Sequence, residues 1–307
     1  MFSTANALVC VGHVKQLSLL EWAREREPGV SDAEHIERIA AATIAELDER
    51  PPVNLALVAS YRDIADIRYV PLLPFAGCLG PEGGRLVMRL RATDTWARQR
   101  FTGFHEVGHS FQPGYREARQ LRCAHPSATP REASDPEALA DVAAAALLLP
   151  AAHFLGDTLQ TPFGLAGVLE LADVYQASIQ ATAVRFARFW PEPVLLLVLE
   201  PGLRKEEHGR NDAVPKLRVR SCFASGAWTF VPRNKSVEET GLLQAAFAGQ
   251  EVSGRTTLAA ELGLSDYREV EMSAGQFPYC DANGELRQRV IALLRRPDRT
   301  HAVSPTP

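Results

Sequence analysis

His105, Glu106 and His109 stand together in the run His105-Glu106-Val107-Gly108-His109. On a helix, residues i and i+4 share a face, so both imidazoles can reach one metal ion. Zinc suits nitrogen ligands of this kind. Glu106 lies one residue on, about 100° round the helix. From there it falls beside the metal instead of inside its coordination sphere. A carboxylate in that place can take a proton from water whose pKa the zinc has lowered toward about 7. These residues therefore point to metal-assisted hydrolysis, with His105 and His109 as ligands and Glu106 as general base. A string this short also arises by chance, so its surroundings must supply the rest of the site.

A catalytic zinc usually has three protein ligands and one open position. Glu137 and Asp141 are again four residues apart, in Glu137-Ala138-Leu139-Ala140-Asp141, on an otherwise apolar, alanine-rich stretch. Carboxylates on such a helix are costly unless partnered. Glu137 as third ligand would remove that cost, with Asp141 accepting a ligand histidine's other N–H. The plain alternative is that both face solvent at a helix start, where acids suit the dipole. Tyr115, just after Pro113-Gly114, is a candidate for oxyanion or substrate contact. A phenol there also serves simply as packing. His125 and Cys123 fit a surface loop. His13, His35, His153, His208 and His301 lack partner spacing and read as packing or surface residues.

The elements that must carry these groups follow from local signals. Residues 14–26 read as a helix stopped by Pro28-Gly29. Ser31-Asp32-Ala33-Glu34 is a capping box that starts a helix to about Glu49. Residues 53–64 follow as a short helix. Residues 67–72 and 85–90 are β-prone, with Gly77, Gly80, Pro81, Gly83 and Gly84 between them as turns, giving a small antiparallel sheet. Helical spacing returns from Thr95 to about Phe111. A polar loop spans 112–134, and Asp135-Pro136 starts the next helix, which Pro150 ends. Residues 163–190 read as two helices. Beyond Pro191, strands are expected at 194–199, 216–223 and 227–231, and helices at 237–248 and 285–294. The fold class is thus α+β.

Length and composition are compatible with this. The 307 residues carry 46% hydrophobic and 23% charged side chains, enough for a sizeable core. A net charge of −4 gives no global field toward nucleic acid or anionic membrane. Five scattered cysteines with no CxxC pair argue against a disulfide framework and fit a reducing cytoplasm. No targeting segment or membrane-length apolar run is visible, so a soluble cytoplasmic protein is expected.

Arg100-Phe101-Thr102-Gly103-Phe104-His105-Glu106-Val107-Gly108-His109 resembles the signature of the ImmA/IrrE family of zinc metallo-endopeptidases. The stretch from Glu137 to Pro150, closing Ala145-Ala146-Leu147-Leu148-Leu149-Pro150, resembles that family's second motif. Pro51-Pro52-Val53-Asn54-Leu55 matches its run-in. Gly103-Phe104 stands where Leu-Ala is commoner, Val107 for Leu or Ile, Ala143 for Phe and Leu149 for Met; all are apolar or small exchanges.

The resemblance implies a gluzincin-like zinc peptidase core at 31–155 after an N-terminal extension at 1–30. Its ligands would be His105, His109 and Glu137, its base Glu106. A helix-turn-helix-like segment follows at 156–191, then an α+β domain at 192–296, GAF-like in some relatives, and a tail at 297–307 expected to be disordered. The family theme is cleavage or inactivation of a helix-turn-helix repressor, derepressing stress-response or mobile-element genes. The expected partner is such a repressor. An alternative is a zinc-fold module that sequesters a repressor without proteolysis. Direct DNA binding is disfavoured, because the recognition-type helix carries only Arg185 and Arg188. Residues 85–90 are also a candidate edge strand to which a substrate could add, a plain structural strand being the alternative.

Overall fold

The computed structural model describes residues 17–115, 121–123, 134–210, 212–281 and 284–297. The described residues open with three helices, α1 (Leu19–Arg26), α2 (Asp32–Glu46) and α3 (Leu55–Tyr61). Side chains set each start. Ser18 and Glu21 form a reciprocal capping box on α1, and Asn54 accepts from the backbone of Ala56 and Leu57 on α3. On α2 the Ser31 half of the expected box forms, but Glu34 turns outward to pair with Arg38 at 2.6 Å. The helix expected at 53–64 is shorter than its apolar run, because Ile64 already begins a strand.

Strands β1 (Ile64–Val70), β2 (Gly77–Glu82) and β3 (Arg85–Arg91) follow, and β4 (Leu121–Cys123) lies within the stretch expected as a loop. The sheet order is β1-β3-β2-β4. Its β2–β3 and β2–β4 pairings are antiparallel, and β1 joins β3 in parallel. Only Gly83 and Gly84 form the tight turn, both at positive φ, in the two-residue connection that pairs Glu82 with Arg85. Gly77, Gly80 and Pro81 are strand residues instead. β3 is therefore an interior strand with both edges paired. The reading of 85–90 as an edge open to substrate is corrected by this order, since a peptide has no free hydrogen-bonding edge to join there.

Helices α4 (Trp96–His109), α5 (Pro136–Leu148), α6 (Ala151–Gln160), α7 (Leu165–Tyr175) and α8 (Ile179–Phe189) come next. α5 has the start its sequence predicts: Asp135 accepts from the Glu137 N–H at 2.9 Å, with Pro136 at the first turn. Among the described residues no single helix is long and apolar enough to cross a membrane.

The C-terminal part holds β5 (Val194–Gly202), β6 (Lys216–Ala224), α9 (Leu242–Phe247), β7 (Val252–Thr257), α10 (Leu258–Leu262), β8 (Glu269–Gln276), β9 (Tyr279–Cys280), β10 (Leu286–Arg287) and β11 (Val290–Arg295). β9 and β10 pair with each other, and the rest form an antiparallel sheet of order β6-β5-β11-β8-β7. The helix expected at 285–294 is replaced by β10 and β11. β11 lies between β5 and β8, and both its faces are buried. Leu196, Ile291 and Leu293 join the core of the helical part, while Leu195, Leu197, Ala292 and Leu294 join a second core with α9 and α10. A strand covered on both sides has no polar alternation, so its apolar run does not separate strand from helix. The strand expected at 227–231 does not form; Pro232 lacks a donor, and this stretch takes no place in the sheet. The helix expected at 237–248 is confined to α9, because Val237 instead donates its N–H to the Leu217 carbonyl at 2.9 Å.

Candidate metal centre

The centre forms where α4 meets α5. A Cβ on Gly108 would come within 2.6 Å of the Ala143 Cβ and 3.1 Å of the Ala140 backbone. Only a residue without a side chain lets the helices approach this closely. The same contact explains a small residue at 143, whose methyl already meets the α4 backbone. A Cβ on Gly103 would strike Leu55 at 2.3 Å, so α4 is pressed against α3 as well.

Two clamps with no signal in the sequence hold the end of α4. Arg62 donates to the Ser110 hydroxyl at 3.1 Å and to its carbonyl at 3.0 Å. Buried Gln112 donates to the Pro136 carbonyl at 2.8 Å, tying the exit of α4 to the start of α5. Glu137 is the next residue, so this bond fixes where its carboxylate begins.

His105, Glu106 and His109 are 1%, 0% and 2% exposed, a degree of burial that isolated surface histidines would not show. The two imidazoles meet edge to face, with centroids 4.8 Å apart. Asp141 Oδ1 accepts a 2.8 Å hydrogen bond from His105 Nδ1. With the proton on Nδ1, a neutral ring presents its Nε2 lone pair. That Nε2 lies 3.3 Å from Glu137 Oε2, and His109 Nε2 lies 3.4 Å from Glu137 Oε1. His109 Nε2 is buried and makes no hydrogen bond among the described residues.

One ligand atom from each of His105, His109 and Glu137 falls within 4.8 Å of the others. Ligand atoms at zinc distances of about 2.0–2.2 Å around a tetrahedral ion stand roughly 3.3 Å apart. The donor set and its spacing therefore fit a small divalent cation. Burial first, and then the neighbouring His105, push the His109 pKa down to about 4; Glu137 and Asp141 act the other way. His109 is thus neutral near pH 7, the form that binds metal.

Tyr115 is half-buried and packed against the core. His125 lies outside the described residues, as do His13 and His301, and Cys123 is described only as part of β4, opposite Gly77. His35 and His153 face the backbone carbonyls of Glu27 and Glu49 at 3.1 and 3.2 Å, as packing residues do. On α8, Arg185 is buried and bonds the Leu149 carbonyl at 3.1 Å and Glu37 at 3.2 Å; Arg188 pairs with the same glutamate.

Two histidines one turn apart on a buried helix, met by an acid from a second helix, define the class of HExxH metallopeptidase-type centres. Residues 65–187 match the model of peptidase family M78, described as the IrrE N-terminal-like domain. This segment is therefore similar to an IrrE N-terminal-like domain, and the match supports an IrrE/ImmA-like metallopeptidase or regulator role. The chain is similar in fold to a Mycobacterium tuberculosis transcriptional regulator, with a TM-score of 0.57 at 14% identity, covering 91% of this chain and 80% of that one. No curated protein sequence matches.

Proposed function

We propose that the protein is a zinc-dependent endopeptidase that cleaves a helix-turn-helix repressor, thereby derepressing stress-response or mobile-element genes. The observation that carries this reading is an acid at position 106, wholly buried beside two histidines that meet Glu137. Binding a metal alone calls for no carboxylate at that position; hydrolysis calls for a base there.

His105, His109 and Glu137 would hold the ion, and Asp141 would keep the His105 ring oriented with Nδ1–H toward its own carboxylate. When bound, zinc supplies a Lewis acid and makes an adjacent water acidic enough to ionise near neutral pH. Glu106 takes the water's proton and delivers it to the departing amine nitrogen. The burial around His105 and Glu106 excludes bulk water and strengthens each of these charge interactions.

A repressor partner is supported by the family resemblance of 65–187. The pairing of Arg185 and Arg188 with Glu37 leaves α8 little free positive charge for phosphates, which supports docking to a protein over binding DNA. The test is co-expression with a repressor encoded beside this gene. Wild type should cleave it, and Glu106→Gln should retain zinc while cleavage falls at least roughly 100-fold. If Glu106→Gln relieves repression as well as wild type does, the protein works by sequestering its partner.

A further inference from the structure

Arg100 precedes His105 by five residues and so projects from a different side of α4, about 140° round the helix. It is only 4% exposed. Its Nη2 donates to the Val53 carbonyl at 3.0 Å, and its guanidinium lies 5.9 and 5.5 Å from the Trp96 and Phe104 ring centroids. Its Nε is buried and makes no hydrogen bond among the described residues. Among the described residues no carboxylate pairs with it: burial holds its pKa below the ordinary value, and the Tyr69 phenol acts the other way. Buried charges are usually paired, because the cost of desolvation is otherwise uncompensated.

Arg100 lines a cleft of about 1190 Å³. The opposite walls are α3, through Leu55, Ala56 and Ser60, and β1, through Ile67 and Tyr69. Trp96 and Tyr69 are exposed at 53% and 46%. β1 is the outermost strand of its sheet and pairs only with β3 among the described residues, so its other edge is free to accept a strand. The cleft is lined by two acids, Asp63 and Asp66, and two bases, exposed Arg85 and buried Arg100; Asp66 pairs with Arg68 at 2.8 Å, so the anion-seeking group is the buried Arg100 guanidinium itself.

We propose that this cleft binds an extended peptide segment that pairs with the free edge of β1 and places a carboxylate on Arg100. Main-chain bonds to a strand edge supply affinity, and a charged pocket beside it supplies selectivity. The cleft is far larger than an isolated phosphate or acetate requires, and its Leu55, Ile67 and Trp96 walls suit side chains flanking the acid. His105, Glu106, His109 and Glu137 do not line it, so the site is separate from the metal centre and does not depend on proteolysis.

The test uses the full chain and two end-capped nine-residue β-prone peptides, one with a central glutamate and one with glutamine, titrated by fluorescence polarisation. Wild type should bind the glutamate peptide at least about tenfold more tightly, the scale of one charge-assisted hydrogen bond. Arg100→Met should erase the difference. Because Arg100 also holds the Val53 carbonyl, Ala56→Glu supplies a second test. That residue is exposed in the first turn of α3, where an added acid suits the helix dipole. It should weaken the glutamate peptide and leave the glutamine peptide unchanged. Equal binding of the two peptides, no binding of either, or a preference that survives in folded Arg100→Met or in Ala56→Glu overturns the proposal. So does Arg100-dependent binding of inorganic phosphate with no binding of the glutamate peptide, which would mark a small-anion pocket.

Discussion

Asp141 holds His105 by a 2.8 Å hydrogen bond to Nδ1, one helical turn beyond the Glu137 carboxylate that faces Nε2 of the same ring. The two acids of α5 thus grip opposite nitrogens of one imidazole. Asp141→Ala should lower zinc affinity by roughly 10–100-fold without abolishing the site, the usual effect of losing such an orienting partner. A competitive chelator titration measures this. Unchanged affinity would show that packing alone fixes the ring.

The His105–His109–Glu137 cluster should hold about one zinc per chain. His105→Ala, His109→Ala and Glu137→Ala should each reduce occupancy sharply in metal analysis. Full occupancy in all three would place any metal elsewhere.

Gly108→Ala opposes two effects. Alanine in a helix interior gains about 1 kcal/mol in propensity over glycine. Its methyl would lie 2.6 Å from the Ala143 Cβ and 3.1 Å from the Ala140 backbone, neither of which is a flexible side-chain end. Overpacking of this sort costs about 1–3 kcal/mol, so the net change should be destabilising. Thermal unfolding should show a lower midpoint, with weakened metal binding as α4 and α5 separate. A raised midpoint would mean that the helices shift apart without cost.

The metal-free protein should lose stability in mild acid. His109 titrates at about 4 when folded, below the ordinary 6.5. Between those values the unfolded chain binds more protons, so stability falls as pH falls. The contribution is complete above about 6.5 and lost as pH drops through about 4. Denaturant midpoints measured from pH 7 to pH 4 should decline, and the decline should be shallower in His109→Gln. An identical slope in that variant would remove His109 as the cause.

The Asp135 cap, the Pro136 start and the i, i+4 spacings of His105 with His109 and Glu137 with Asp141 were legible because helix geometry is set by adjacent residues. The sequence by itself therefore determined α4, α5 and which side chains each presents on one face. It could not set the distance between those faces. That came from Gly108 against Ala143 and from the Gln112 bond to Pro136, contacts between residues 24 or more positions apart. Strand assignments fared differently for the same reason. Residues 290–295 carry no periodicity of their own, and their strand exists because β5 and β8 satisfy its backbone on both sides. The parallel partner that places 85–91 inside its sheet is likewise invisible in that segment, since pairing is chosen by the surface a strand meets after folding.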